Sequence, residues 1–313
     1  MLPEIQPFRG AAGFRVRLGP SGLHLFDRTS GLNVLFDEII LPDHMWSLAP
    51  SQVSIALTNS CNLRCPFCFA PKNRASLSLE AIASCLVDLN AHGTFGVGFG
   101  GGEPTLYPEF AELCAFATKN TQLAVTFTTH GHWQDDDLIA RLIGNVHFIR
   151  LSMDGVGETY QRFRGRGFSE FRARLESVRT VAPFGINYVV NDETLQDLNA
   201  ASAIAAEAGA AELLLLPEEP ANGRPGIDKA TLASLSDWVT GYTGQMRLSI
   251  SERQADGFPA IDPVRSDAGL RAYVHVSADG VLKRSSYDCG GVPISDEGIL
   301  AALGQLRASA GTV

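Results

Sequence analysis

The sequence predicts an α/β protein built on a parallel sheet, open or closed. Two observations carry that prediction. Six short apolar runs alternate with amphipathic segments between residues 53 and 216, and a strand-helix alternation of this kind specifies parallel strands joined by right-handed crossovers. The chain of 313 residues is also 45% hydrophobic, enough to bury one large core.

From Phe8 to Ile40 the sequence is punctuated by glycine and alternates in short runs such as Phe14-Arg15-Val16-Arg17-Leu18, which predicts a small β-hairpin element. Pro42 and Pro50 bracket an aperiodic linker. The six predicted strands follow at Val53 to Thr58, Phe95 to Phe99, Leu123 to Thr129, His147 to Ser152, Ile186 to Val190 and Glu212 to Leu216. Between them, Ser78 predicts an N-cap ahead of a face of Leu79, Ile82, Ala83 and Leu86, and Thr194 is expected to cap a segment running to Ala208. After a loop rich in Pro and Gly (Pro217 to Gly226), a helix is expected around Lys229 to Tyr242. Strands at Met246 to Ser251 and Leu270 to Val276, a turn at Ala278-Asp279-Gly280 and a closing helix from Glu297 to Arg307 complete the tail. The expected organisation is an N-terminal element and linker (1–50), a core (51–217) and a C-terminal extension (218–313).

The formal charge of -9, with both signs mixed along the chain, argues against a polyanion binder, so nucleic acid is not expected as a partner. No apolar run approaches the roughly 20 residues of a membrane span. Met1 to Gly10 lacks the basic-then-apolar pattern of a signal peptide, so a cytoplasmic protein is expected, with no membrane partner.

Three of the six cysteines fall within Thr58-Asn59-Ser60-Cys61-Asn62-Leu63-Arg64-Cys65-Pro66-Phe67-Cys68, at the carboxyl end of the first core strand, where open and closed parallel sheets bind ligands. Thiolates spaced this way can hold three corners of an iron-sulfur cubane and leave one iron open. The alternatives are a zinc site or a chance grouping of buried thiols, but structural zinc wants four ligands and no second cysteine pair exists. Cys85 and Cys114 lie on helical faces and are read as core residues.

This pattern, Cys-x-x-x-Cys-x-aromatic-Cys after a first strand, resembles the signature of the radical S-adenosylmethionine (radical SAM) superfamily, and the resemblance runs over about residues 51 to 217. It implies a partial (β/α)6 TIM-like barrel. It also implies an enzyme in which Cys61, Cys65 and Cys68 hold a [4Fe-4S] cluster that reductively cleaves S-adenosylmethionine. Gly100-Gly101-Gly102-Glu103-Pro104 is similar to the family's GGEP motif, implying that Gly101, Gly102 and Glu103 bind the methionine amino group. Leu151-Ser152-Met153-Asp154-Gly155 is similar to a segment of the branch with a C-terminal SPASM or twitch extension, and implies a cofactor contact at Ser152. By the same resemblance Arg164, among three arginines expected to precede a helix, meets the methionine carboxylate. Phe67 borders the adenine or is a core aromatic. Thr129-His130-Gly131 stands where relatives show Thr-Asn-Gly. Thr129 joins the cofactor set, and His130 is either a direct contact or a hydrogen-bonded group behind it. Asn187 and Asn191 are expected near the ribose and adenine.

The hairpin Ala272 to Leu282 resembles the start of a SPASM or twitch extension, yet Cys289 is the sole cysteine after it. One thiolate cannot hold a cubane, so a degenerate extension without an auxiliary cluster is expected. Tyr287, Asp288 and Cys289 are the candidates for catalytic groups over the barrel mouth, with Cys289 either a hydrogen donor or a buried small hydrophobe. The resemblance implies a 5′-deoxyadenosyl radical that abstracts hydrogen from a substrate, and a flavodoxin or ferredoxin as reductant. A peptide in natural-product (RiPP) maturation is the expected substrate. A small molecule such as a sugar, nucleoside or amino acid, or a non-catalytic iron-sulfur protein, are the other readings.

Overall fold

The computed structural model describes residues 13–310 apart from 136, 262–263 and 265–266, so the expected start of the N-terminal element at Phe8 lies outside the described residues. That element is a three-stranded antiparallel sheet, not a single hairpin: β1 (Arg15–Gly19), β2 (Gly22–Phe26) and β3 (Asn33–Phe36), in that order. Gly22 makes the tight return with φ of +107°, and a Cβ there would meet the Phe36 carbonyl oxygen at 2.2 Å. The face of β1 turned inward carries Arg15 and Arg17, not the alternate Val16 and Leu18. Arg17 donates to the Ala49 carbonyl (2.6 Å) and pairs with Asp267 (2.9 Å), and Arg15 donates to Asn90 Oδ1 (3.0 Å). Guanidinium groups are tolerated there because each finds acceptors from the neighbouring chain.

The main sheet follows. Its elements are β4 (Gln52–Thr58), α1 (Leu79–Ala91), β5 (Gly96–Gly101), α2 (Phe110–Asn120), β6 (Ala124–Thr129), α3 (Asp137–Leu142), β7 (Phe148–Ser152), α4 (Glu158–Arg164), α5 (Phe168–Arg179), β8 (Phe184–Val190), α6 (Leu198–Glu207), β9 (Glu212–Pro217), α7 (Lys229–Thr240), β10 (Arg247–Ile250), β11 (Tyr273–Val276), β12 (Val281–Lys283), β13 (Val292–Pro293) and α8 (Gly298–Ala310). The ten strands run in the order β10-β9-β8-β7-β6-β5-β4-β11-β12-β13. The six expected strands lie side by side and parallel, and the tail extends them at both ends: β10 pairs parallel with β9, and β11 parallel with β4. The expected hairpin is β11 to β12, antiparallel.

One face of the sheet is the core. Val53, Ile55 and Leu57, Val97 and Phe99, Val125 and Phe127, and Ile149 and Leu151 are all buried under the helices, each contributing on the order of 1.5–3 kcal/mol. Cys85 and Cys114 sit in the same core. The alternate residues are small or polar: Ser54, Gly98, Gly100, Thr126, Thr128 and Asn187, and an added Cβ on Gly100 would meet open space. Apolar out and polar in is the pattern of strands packed on helices around a working interior.

Ser78 caps α1 as expected, accepting from the Ala81 amide at 3.2 Å. Thr194 does not cap α6. It starts a 3-10 turn (Thr194–Asp197) whose amides are taken by Asn191 Oδ1, from Glu193 (3.0 Å) and Thr194 (2.9 Å). Arg162, Arg164 and Arg166 precede α5 as expected, and the first two also form the last turn of α4, where cations favour the carbonyl end of the helix dipole. No helix among the described residues is long and apolar enough to cross a membrane.

Candidate functional site

The three clustered cysteines occupy one loop at the carboxyl end of β4. Its base is closed by a bridge between Thr58 and Ser76 and by the Asn59 amide on the Ala75 carbonyl (2.9 Å). Cys65 is buried, Cys61 and Cys68 half-buried. Burial pushes the Cys61 and Cys65 thiols above their ordinary value, and at Cys65 the Arg164 guanidinium pulls back. Cations approach two of the sulfurs: Arg164 Nη1 donates to Cys65 Sγ (3.4 Å) and Lys72 Nζ to Cys68 Sγ (3.1 Å). Among the described residues no three His, Cys, Asp or Glu side chains converge closely enough for a single metal ion. A cubane asks for a different arrangement, because each thiolate takes a different iron and the sulfurs stand apart. Three thiols from one loop fit three corners of such a cluster.

The glycine loop after β5 is built onto the cysteine loop by backbone. The Gly102 amide donates to the Thr58 carbonyl (2.7 Å) and the Glu103 amide to the Ser60 carbonyl (2.8 Å). An added Cβ would lie 2.2 Å from a carbonyl oxygen at either Gly101 (Thr58) or Gly102 (Ser60), so no other residue permits this approach. Glu103 is buried, and burial lifts its carboxyl above the usual carboxylate range, offset in part by the donors around it. Its Oε1 accepts from the hydroxyls of Thr105 and Thr129 (both 2.7 Å), and its Oε2 from the His130 amide (3.0 Å). Burial brings His130 down to about 3, so its imidazole is neutral at pH 7. Nδ1 accepts from the His132 amide (2.9 Å), which puts the proton on Nε2, facing Asn62 Oδ1 at 2.7 Å and Glu103 Oε2 at 3.2 Å. His130 is thus a hydrogen-bonded tie between the glycine loop and the cysteine loop.

A second buried carboxylate pins the other side. Asp154, just past β7, takes the Val189 amide on one oxygen (2.6 Å) and the Arg164 guanidinium on the other. Burial works against charge on both partners, yet Asp154 and the Cys65 thiol keep Arg164 protonated. Arg164 Nε is buried with no hydrogen-bond partner. The guanidinium lies 5.5 Å over the Phe67 ring, which packs on Phe163 at 5.5 Å.

These contacts place the expected site residues. Arg164 meets Asp154 and Cys65 through its two terminal nitrogens. The Thr129 hydroxyl donates to Glu103 Oε1 (2.7 Å) and accepts from the Gly131 amide (3.0 Å), which ties it to that carboxylate. Asn191 is buried, accepts from the Glu193 and Thr194 amides at the 3-10 turn and donates to Glu218 Oε2 (2.7 Å). Phe67 is a packed aromatic beside the cysteines. Ser152 and Asn187 are register partners on the polar face of β7 and β8. In the tail, Cys289 is exposed, contrary to the buried alternative. Asp288 accepts from the Ser285 amide (3.1 Å) and faces Arg253 (3.6 Å). Tyr287 reaches the cysteine loop, its ring tilted against Phe69 at 4.1 Å between centroids.

Sequence reading missed Asn62, Asp154 and Asn222 as working residues. Asp154 stood in a motif already singled out, and a buried aspartate needs a counter-ion. Asn222, in the left-handed conformation with φ of 51°, donates to the carbonyls of Cys68 (2.7 Å) and Pro66 (3.3 Å). The Asn222-Gly223 dipeptide was its only signal.

Residues 55–201 match the Radical SAM superfamily. The chain is 29% identical over 171 residues to the sporulation killing factor maturation protein SkfB of Bacillus subtilis (strain 168), covering 52% of this chain and 42% of that protein. It is 29% identical over 170 residues to the mycofactocin maturase MftC of Mycolicibacterium smegmatis (52% and 43%), and 28% identical over 173 residues to Fe-coproporphyrin III synthase of Methanosarcina barkeri (51% and 43%). The matches thus span less than half the length of these relatives. Among solved structures, Streptococcus suis SuiB bound to its precursor peptide SuiA superposes with a TM-score of 0.77 at 13% identity, covering 97% of this chain and 90% of that one, a likeness of fold.

Proposed function

We propose that this chain, whose residues 55–201 match the Radical SAM superfamily, is an enzyme that cleaves S-adenosylmethionine at a [4Fe-4S] cluster and takes hydrogen from a peptide substrate in natural-product maturation. The observation that carries the reading is one loop with three thiols, locked by backbone hydrogen bonds to the glycine loop on the neighbouring strand. Similarity to the peptide maturases SkfB and MftC supports the substrate class. When bound, the cluster and S-adenosylmethionine supply one-electron reduction and a carbon-centred radical able to attack an unactivated C–H bond.

The protein's own residues hold and shield. Cys61, Cys65 and Cys68 would bind three irons, with Arg164 donating to the Cys65 sulfur and Lys72 to the Cys68 sulfur. Glu103 would take the cofactor's amino group at the edge of Gly101 and Gly102. Thr105, Thr129 and His130 fix that carboxylate by hydrogen bonds already in place, so little reorganisation remains. Leu63, Phe67 and Phe163 pack beside Cys65 and exclude water from one side of the loop. We assign the reductant as a flavodoxin or ferredoxin and the compartment as the cytoplasm, where thiols stay reduced.

A second reading, radical modification of a small molecule, rests on the similarity to Fe-coproporphyrin III synthase. Deuterium tracing separates the two: anaerobic turnover with a deuterated short peptide encoded beside the gene should put deuterium into 5′-deoxyadenosine. Cleavage that no peptide accelerates, while a deuterated small molecule transfers its label, supports the second reading instead.

A further inference from the structure

The whole chain is acidic, with 34 Asp and Glu against 25 Lys and Arg, yet its charge is unevenly placed. Between His44 and Leu79 there is no Asp or Glu. Within that stretch the cysteine loop carries Arg64, Lys72 and Arg74, all three exposed. Lys72 touches the half-buried Cys68 thiol, so this positive surface reaches a sulfur of the candidate cluster. In its middle stands Phe69, 43% exposed and backed by Tyr287. An exposed aromatic within a polar, cationic rim is the composition of a docking patch. On the tail side Arg253 faces Glu219 (3.4 Å) and Asp288 (3.6 Å), so one of these two negative charges is offset and the loop's three cations outnumber what remains.

We propose that the acid-free face of the cysteine loop is the docking surface for a small acidic one-electron carrier protein. The inference rests on the radical SAM reading above: one electron leaves the reduced carrier and enters the cluster behind Cys68. An acidic carrier is repelled by the chain as a whole. At physiological ionic strength, however, fields fade over about 8 Å, so remote acids are screened and the local loop charge decides where contact is made. Electron carriers make small, transient interfaces steered by charge, which suits a patch of this size.

The test pairs binding with turnover. Binding of an oxidised flavodoxin to the reconstituted holoenzyme is measured by titration calorimetry at low and high NaCl, for wild type, Arg64→Glu/Arg74→Glu and, as an equal change in net charge far from the loop, Lys119→Glu/Arg172→Glu. The loop variant should bind about tenfold more weakly at low salt and lose most of the salt dependence, whereas the remote variant should bind as wild type. With dithionite as reductant, the loop variant should form 5′-deoxyadenosine within about twofold of wild type, because small reductants need no docking. The milder Arg64→Gln and Arg74→Gln variants should give graded losses of flavodoxin binding. Equal binding by wild type and loop variant, or equal weakening by both charge reversals, overturns the proposal. Failure of dithionite-driven cleavage in wild type strikes the proposed function instead, and leaves the binding comparison to stand or fall by itself.

Discussion

The cysteine loop and the tail loop around Tyr287 lie against each other at the same edge of the sheet, and they are held in opposite ways. The first is fastened from beneath by buried groups: two glycine-loop amides on its carbonyls, His130 on Asn62, and Arg164, anchored by Asp154, on Cys65. The second hangs on Arg253, itself 47% exposed, which meets Glu219, Asp288 and the Tyr287 ring. Buried hydrogen-bonded networks hold one geometry, whereas solvated ion pairs contribute little and exchange readily. The difference teaches that the chain prepares its cofactor side in advance and leaves the tail side free to adjust to what enters.

The sharpest way to break this contrast is at Asp154. Asp154→Ala leaves the Arg164 cation buried without its partner and should cost about 3–5 kcal/mol, read by urea unfolding of the apoprotein. A loss under about 1 kcal/mol would show that the buried side is no more rigid than the tail.

Acid should act on the same side. His130 is neutral in the fold, with a value of about 3 against 6.5 when unfolded. Below pH 6.5 the unfolded chain therefore binds a proton that the folded chain refuses. Stability present above 6.5 is then lost as pH falls toward 3, by up to about 1.4 kcal/mol per pH unit from this group. His130→Asn should flatten the slope of stability between pH 6.5 and 5, and an unchanged slope would remove His130 as its source.

Arg253→Ala should leave global stability within about 1 kcal/mol, while limited proteolysis near Ser285 to Cys289 speeds up. Protection unchanged from wild type would mean that the tail is held by something other than Arg253. At the small end, Cys289→Ser removes an exposed thiol and should change the unfolding midpoint by no more than about 0.5 kcal/mol in equivalent stability.

What the sequence revealed follows the range over which each feature is encoded. The six core strands and the motifs at their ends are local: apolar alternation and cysteine spacing sit within ten residues of themselves. The pairing of β10 with β9 and of β11 with β4 is not, because register depends on partners that a single run cannot name. Asp154 and Arg164 are ten residues apart, but their pairing requires α4 to begin at Glu158, in a stretch where no helix is expected. Arg15 and Arg17 escaped for another reason. Alternation predicts an apolar face inward, and only the carbonyls and carboxylate supplied by Asn90, Thr94, Ala49 and Asp267 make the charged face the buried one.

The most direct measurement is iron and zinc content, with electron paramagnetic resonance, after oxygen-free reconstitution of wild type and the Cys61→Ala, Cys65→Ala and Cys68→Ala variants. The account predicts about four irons per chain in wild type and a reduced-cluster signal that changes on adding S-adenosylmethionine, with both lost in each variant. Zinc in the wild-type site, or iron retained equally by all three variants, would contradict it.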